Sequence, residues 1–186
     1  MESYLKELRE AIAEIDKESI DHITGIILNG QKNNKTVYIF GNGDSATNAF
    51  HFAADLSKTA IMHKKRLKII CLNENIPLMT AWANDDSYES IYAKQLENLL
   101  EKWDVVIGIS TSGNSPNVLR ALEFANEKEA ITIALTASEG GKARGVARHC
   151  FSAKTKNVEI AEDVHFIIGH MVKYQLIKKW AEEGHK

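Results

Sequence analysis

The stretch DVVIGISTSGNSPNV, Asp104 to Val118, decides the fold. Its first half, Val105, Val106, Ile107, Gly108 and Ile109, is apolar throughout. A strand with one wet face would alternate, so an unbroken β-branched run reads as a strand covered on both sides. The second half switches to Ser, Thr, Gly and Asn and then reaches Pro116, whose fixed φ and missing N–H suit the first turn of a helix capped by Ser115. Strand, hydroxyl-rich loop and helix make up half of a βαβ unit.

Working outward, the same grammar repeats. Apolar runs occur at 36–40 (TVYIF), 67–72 (LKIICL), 130–136 (AITIALT) and 148–153 (RHCFSA). Helical stretches are predicted at about 45–59, 87–101, 116–128, 140–147 and 159–182. Buried strands alternating with helices predict an α/β fold, a three-layer doubly wound parallel sheet. Before it, Leu5, Leu8, Ile12, Ile15, Ile23, Ile26 and Ile27 fall at helical spacing, giving an N-terminal helical arm over 1–30 of one long or two consecutive helices. Such an arm suits packing on its own sheet or on a neighbouring subunit. Pro77 and Pro116 are the two prolines, and no Pro-rich linker interrupts the chain, so a single domain over 1–186 is expected.

Composition narrows the function. Of 186 residues, 44% are hydrophobic and 26% charged, the balance of a globular protein. Lys plus Arg number 23 against 25 Asp plus Glu, a net charge of −2, so nothing global draws this chain to nucleic acid or an anionic membrane. An anion must be held by a local device. Cys71 and Cys150 form no CxxC pair and read as buried, reduced thiols. The opening MESYLKELREAIAEID lacks the apolar core of a secretory signal, and VVIGI or ITIAL is too short to span a bilayer. A cytoplasmic protein with no membrane or nucleic-acid partner is expected.

Two loops carry the local device. In FGNGDSA at 40–46, Asn42, Asp44 and Ser45 offer caps for the next helix, and Gly43 lets the chain turn. In the loop after Ile109, the hydroxyls of Ser110, Thr111, Ser112 and Ser115 surround Gly113 ahead of a helix N-terminus. Hydroxyls, free N–H groups and a helix dipole hold phosphate without a Lys or Arg. Ordinary turn-making accounts for one such loop, less readily for both. Neither GxxxxGK[ST] nor GxGxxG occurs, so no nucleotide cofactor is expected.

Ionisable residues form a second set. His51 and Asp55, four apart, share a helix face and suit metal ligation or acid–base work. On the last predicted helix Glu162, Asp163, His165 and His170 lie among Val164, Phe166, Ile167 and Ile168, either a half-buried site or a solvated face. Glu162 and His170 stand about 12 Å apart along one helix axis, so they share a ligand only by reaching toward each other. The basic run His63, Lys64, Lys65 and Arg66 reads as a solvated loop.

Taken together, the GNG-S loop, the HFA-x-x-L helix, the ND pair at Asn84–Asp85, ISTSGNS, GG-K and the closing E-x-x-H-x-x-x-x-H resemble the sugar isomerase (SIS) domain family, in particular its phosphoheptose isomerase branch. The resemblance covers nearly the whole chain. It implies an SIS-type, flavodoxin-like fold and an aldose–ketose isomerase acting through an enediol on a phosphorylated sugar. Sedoheptulose 7-phosphate going to glycero-manno-heptose 7-phosphate is the first expectation. It places Asn42, Gly43, Asp44, Ser45, Asn84, Asp85 and Glu162 around the sugar phosphate, with Ser110, Thr111, Ser112 and Ser115 on the phosphate. It makes His170 the base and Asp55 its partner, with zinc on His51, Asp55, Glu162 and His170, in a homotetramer with sites at subunit contacts. Three departures stand out: Asp44 replaces a family glycine, Asp55 a glutamate and Glu162 a glutamine. An isomerase for another sugar phosphate, and a non-catalytic module that binds sugar phosphates or the replication initiator, remain open alternatives.

Overall fold

A computed structural model describes residues 1–183. Five strands form one all-parallel sheet: β1 (Thr36–Gly41), β2 (Lys68–Cys71), β3 (Val105–Ile109), β4 (Ile131–Ala137) and β5 (His149–Ala153), in the order β2-β1-β3-β4-β5. The expected doubly wound sheet is present. Because side chains alternate along a strand, each strand feeds both faces. Val37, Ile39, Val105, Ile107 and Ile109 enter one core, while Tyr38, Phe40 and Val106 enter the other.

Helices close both faces. On the first lie α1 (Glu2–Ala13), α2 (Lys17–Lys32), α3 (Asp44–Met62) and the long α8 (Val158–Glu183); Ile20, Ile27, Leu56, Ile168 and Leu176 are the buried contacts. On the second lie α4 (Ile76–Asp85), α5 (Ala93–Leu99), α6 (Pro116–Glu127) and the short α7 (Ala143–Val146), with Tyr92, Leu96 and Leu122 inside. The arm is two helices, and it packs on its own sheet: Ala11, Ile20, Ile23 and Ile27 belong to the same core as β1 and β3. Asp16 separates the two by capping α2, accepting from the N–H groups of Glu18 and Ser19 at 3.1 Å each.

Two expectations need correction. The single helix at 87–101 is broken into a 3-10 turn at Tyr88–Ser90 and α5, and ahead of it stands α4, which the sequence reading does not anticipate. Asn75, which accepts from the Leu78 N–H at 3.1 Å, and Pro77 in the first turn start α4 earlier. The helix at 140–147 shrinks to α7, because Gly140 and Gly141 take φ of +87° and +54°, which no helix continues. The last three positions of the expected 1–186 domain lie outside the described residues. Among the described residues no helix is long and apolar enough to cross a membrane. Cys71 is buried and free, and Cys150 is free and half-buried.

Candidate active site

The chain leaves β1 toward β2 on one side, while β3 lies on the other, so the β1/β3 boundary is the switch point where open parallel sheets bind ligands. Gly41 and Ile109 are paired there, and the next residues, Asn42 and Ser110, begin the two loops singled out by sequence. The loops are tied together. Asn42 and Asn117 exchange amide hydrogen bonds in both directions at 2.9 Å. The hydroxyl of Tyr88 donates to Asn42 Oδ1 at 3.1 Å, and that of Tyr92 lies 3.1 Å from the same oxygen while donating to the Gly41 carbonyl. Asn73, itself buried, donates to the Gly41 carbonyl at 2.9 Å. Asn42 is thus held from three sides.

The hydroxyl loop is fixed from beneath. Ser110 is buried, with its Oγ 3.0 Å from Ser115 Oγ and 3.5 Å from Ser112 Oγ, so three hydroxyls converge. Ser115 holds the N-cap position of α6, but its hydroxyl faces Ser110 rather than the helix N–H groups, against the capping expected of it. Pro116 has no N–H and the Val118 N–H donates to Asn117 Oδ1 at 3.0 Å, so of this first turn the Asn117 N–H is left for an anion. Gly113 sits at φ +64°, and a Cβ there would lie 2.0 Å from the Gly140 carbonyl oxygen, so only glycine fits. Asn114 accepts from the Lys142 N–H at 3.1 Å and closes the same junction. Thr111 is half-buried and Ser112 exposed.

The remaining expected residues divide. Gly43, not Asn42, Asp44 or Ser45, is the N-cap of α3, with φ +55° and no side-chain cap. Ser45 is buried beneath the loop. Asn84 and Asp85 bond to each other at 2.8 Å, at the end of α4, and the contact of that loop with Asn42 comes from Tyr88 instead. Asp44 and Glu162 line one depression with Tyr4, Glu159 and Asp163. The position of Asp44, in the first turn of α3, is one where a helix favours a carboxylate. Partial burial, then the neighbouring Asp44, Glu159 and Asp163, raise Glu162 above the ordinary carboxylate pKa.

His51 and Asp55 on α3 meet His170 on α8. His51 Nε2 and His170 Nε2 are 2.9 Å apart, and each is 3.8 Å from Asp55 Oδ2. Ligand atoms of these three residues all lie within 4.8 Å of one another. Glu162, about two turns earlier on α8, is not in this group. The crossing is close because Gly169 faces Phe52: a Cβ there would come within 2.7 Å of the ring. Phe166 stacks on His51 with centroids 4.3 Å apart. Lys173, not anticipated from sequence, donates to Asp55 Oδ2 at 2.6 Å. It lies three residues after His170, on the same helix face.

Two imidazoles and a carboxylate suit a divalent transition metal, although the Lys173 ammonium competes for the carboxylate oxygen. Partial burial, then Lys173 and His51, lower the pKa of His170, outweighing Asp55, so its ring is neutral at neutral pH. His165, also on α8, is buried and accepts no such role. Its Nε2 is 2.8 Å from the Thr136 carbonyl, and burial lowers its pKa to about 4.

The molecule has recognisable relatives. The SIS domain profile matches residues 2–137. A phosphoheptose isomerase of Aquifex aeolicus is 36% identical over 166 residues, 89% of this chain and 87% of that protein. One from Helicobacter pylori is 36% identical over 167 residues, covering 90% and 87%. The solved structure of a phosphoheptose isomerase from Francisella tularensis superposes with a TM-score of 0.89 at 28% identity, over 94% of this chain and 95% of that one.

Proposed function

The chain belongs to the SIS domain family, and from that premise we propose that it is an aldose–ketose isomerase of phosphorylated sugars, with sedoheptulose 7-phosphate as its ketose. The observation that carries this reading is the pairing, at one switch point, of a hydroxyl cradle at the N-terminus of α6 with Asn42 held by Asn117, Tyr88 and Tyr92. A phosphate seats on Ser110, Thr111, Ser112 and Ser115, and Asn42, Gly43 and Ser45 flank the sugar, with Asn84 and Asp85 at the rim. The long chain of a heptose then runs out toward α3 and α8.

The reaction moves one carbon-bound and one oxygen-bound proton. Starting from the ketose, a base removes a proton from C1, leaving an enediol, and returns it at C2 to give the aldose. His170, neutral at neutral pH, has a lone pair for that step. The O1 hydroxyl proton passes to Asp55 and on to the oxygen at C2, with Lys173 holding the carboxylate in place. The proton balance closes with no net uptake. Zinc is the metal this donor set suits: His51, Asp55 and His170 would hold it, with Glu162 outside their group, and it would polarise the substrate oxygens. Sites completed by neighbouring copies, in a homotetramer acting in the cytoplasm, belong to the same reading.

The test is a 13C NMR time course of sedoheptulose 7-phosphate with purified, zinc-supplemented protein. An aldose signal that disappears with His170→Ala supports the assignment. No conversion, while other C5 or C6 ketose phosphates isomerise, moves the substrate elsewhere in the class. No conversion of any of them, with binding intact, makes the protein a sugar-phosphate sensor.

A further inference from the structure

A second pair of histidines lies at the other end of the sheet. His149 opens β5 and is therefore at the amino ends of the strands, opposite the loops that follow β1 and β3. Its Nδ1 is 2.9 Å from Nε2 of His22 on α2, and the rings meet edge-on with centroids 4.5 Å apart. The separation equals that of His51 and His170. The parallel stops at the carboxylate. Asp55 Oδ2 lies 3.8 Å from both rings of the first pair; Glu18, one helical turn from His22, lines the same cavity, of about 470 Å³, as the second pair, but its oxygens do not come within 4.8 Å of both ring nitrogens.

We propose that His22 and His149 form a second divalent transition-metal site, one that fastens helix α2 to the edge strand β5, with the exposed Glu18 side chain turning in as third donor when an ion binds. The two imidazoles come from separate elements, as in the first cluster, and are in place; the carboxylate at i±4 is exposed on its helix and changes rotamer to join them. Two imidazole nitrogens with a carboxylate select zinc, nickel or copper over magnesium or calcium. Both rings are accessible to an arriving ion, with His22 exposed and His149 half-buried.

Neighbouring groups define the limits of the set. Asp16 lines the cavity too, but its two oxygens already accept from the Glu18 N–H, the Ser19 N–H and the Ser19 hydroxyl, so it stays a helix cap. Cys150 follows His149 in the strand and faces the other way, its Sγ 3.5 Å from Thr136 Oγ1. It is no ligand. Arg148 lines the cavity as well and repels a cation, which places the affinity below that of a site with three unopposed donors.

The site does not depend on the isomerase reading and is tested apart from it. Zinc and nickel are titrated calorimetrically into the full-length His51→Ala protein, where the first cluster is broken. One equivalent bound, with a higher melting temperature, is expected. Adding His22→Ala or His149→Ala should abolish both, and adding Glu18→Gln should weaken binding several-fold. Circular dichroism and the melting temperature without metal show whether each variant is folded. If His51→Ala binds neither metal, or binds equally with His22 and His149 replaced, the two rings share only an imidazole–imidazole hydrogen bond and the proposal fails.

Discussion

The two histidine pairs are built alike and set in different surroundings. His51 and His170 stand on packed helices, α3 and α8, drawn together by the Gly169–Phe52 contact. His22 and His149 stand on a helix and the edge strand of the sheet. The first pair shares a carboxylate already joined to an ammonium, and α3 carries it from the loop that follows β1. The second has Arg148 beside it and lies at the sheet end remote from the hydroxyl loop. Donor geometry alone therefore makes a place for a cation. In the proposed reading, the first place serves chemistry on a phosphorylated substrate because its helix α3 starts at the switch-point loop.

The largest expected effect separates the pairs at once. His170→Ala should lower kcat by about 10²–10⁴-fold, the range for losing a general base, while His22→Ala leaves turnover unchanged. Comparable losses from both would erase the distinction between the clusters. A pH series comes next. With its folded-state pKa near 4, His165 binds a proton in the unfolded chain before the folded one, so stability falls as pH drops from about 6.5 to about 4 and is fully present above that window. The loss attributable to this residue is about 3 kcal/mol, read from urea midpoints across that range, and His165→Gln should flatten the slope. A slope that persists in the variant assigns it to His149 and His170, whose pKa values burial also lowers.

How much of this the sequence discloses depends on distance along the chain. Val105 to Ile109 and Ile131 to Ala137 announce buried strands because burial on two faces leaves only apolar residues there. Strand β2 stops at Cys71 rather than 72, since Leu72 to Glu74 turn into a 3-10 helix. The hydroxyl loop is legible for the same local reason. By contrast, His51 meets His170 across 119 residues and His22 meets His149 across 127, and no periodicity encodes either meeting. The first was available through family resemblance, and the second has no such guide. Tyr88, Tyr92 and Asn73 gave no signal, because a hydroxyl or amide finds its partner only once the sheet is assembled. Lys173 was within reach: three residues after His170, it had to share that face.

Gly169→Ala probes the packing half of the contrast. The added methyl meets the Phe52 ring at 2.7 Å, so α3 and α8 must part or the ring must move. Overpacking of this kind costs about 1–3 kcal/mol. The expected signature is a lowered melting temperature together with weakened metal binding at the first cluster and unchanged binding at the second. If both clusters weaken alike, the arm and α8 respond as one body and the two sites are not independent.

The smallest effect tests the electrostatic half. Lys173 and a metal at His51 and His170 both require the Asp55 carboxylate, and the ammonium already holds Oδ2 at 2.6 Å. Replacing it with an isosteric apolar chain, Lys173→Met, frees that oxygen and removes a positive charge beside the incoming cation. Because the Lys173 and Asp55 side chains retain 27% and 22% exposure, solvent screens the pair, and the gain is no more than about 1 kcal/mol. Chelator competition should therefore show zinc bound severalfold more tightly at the first cluster, with the second unaffected. The same variant should lose turnover, since the carboxylate proposed to shuttle the hydroxyl proton is no longer anchored. Tighter metal with slower turnover means that Lys173 limits metal affinity so that Asp55 stays placed for proton transfer. Unchanged zinc affinity means the metal uses Oδ1 while Lys173 keeps Oδ2, and the two cations then sit on one carboxylate without competing.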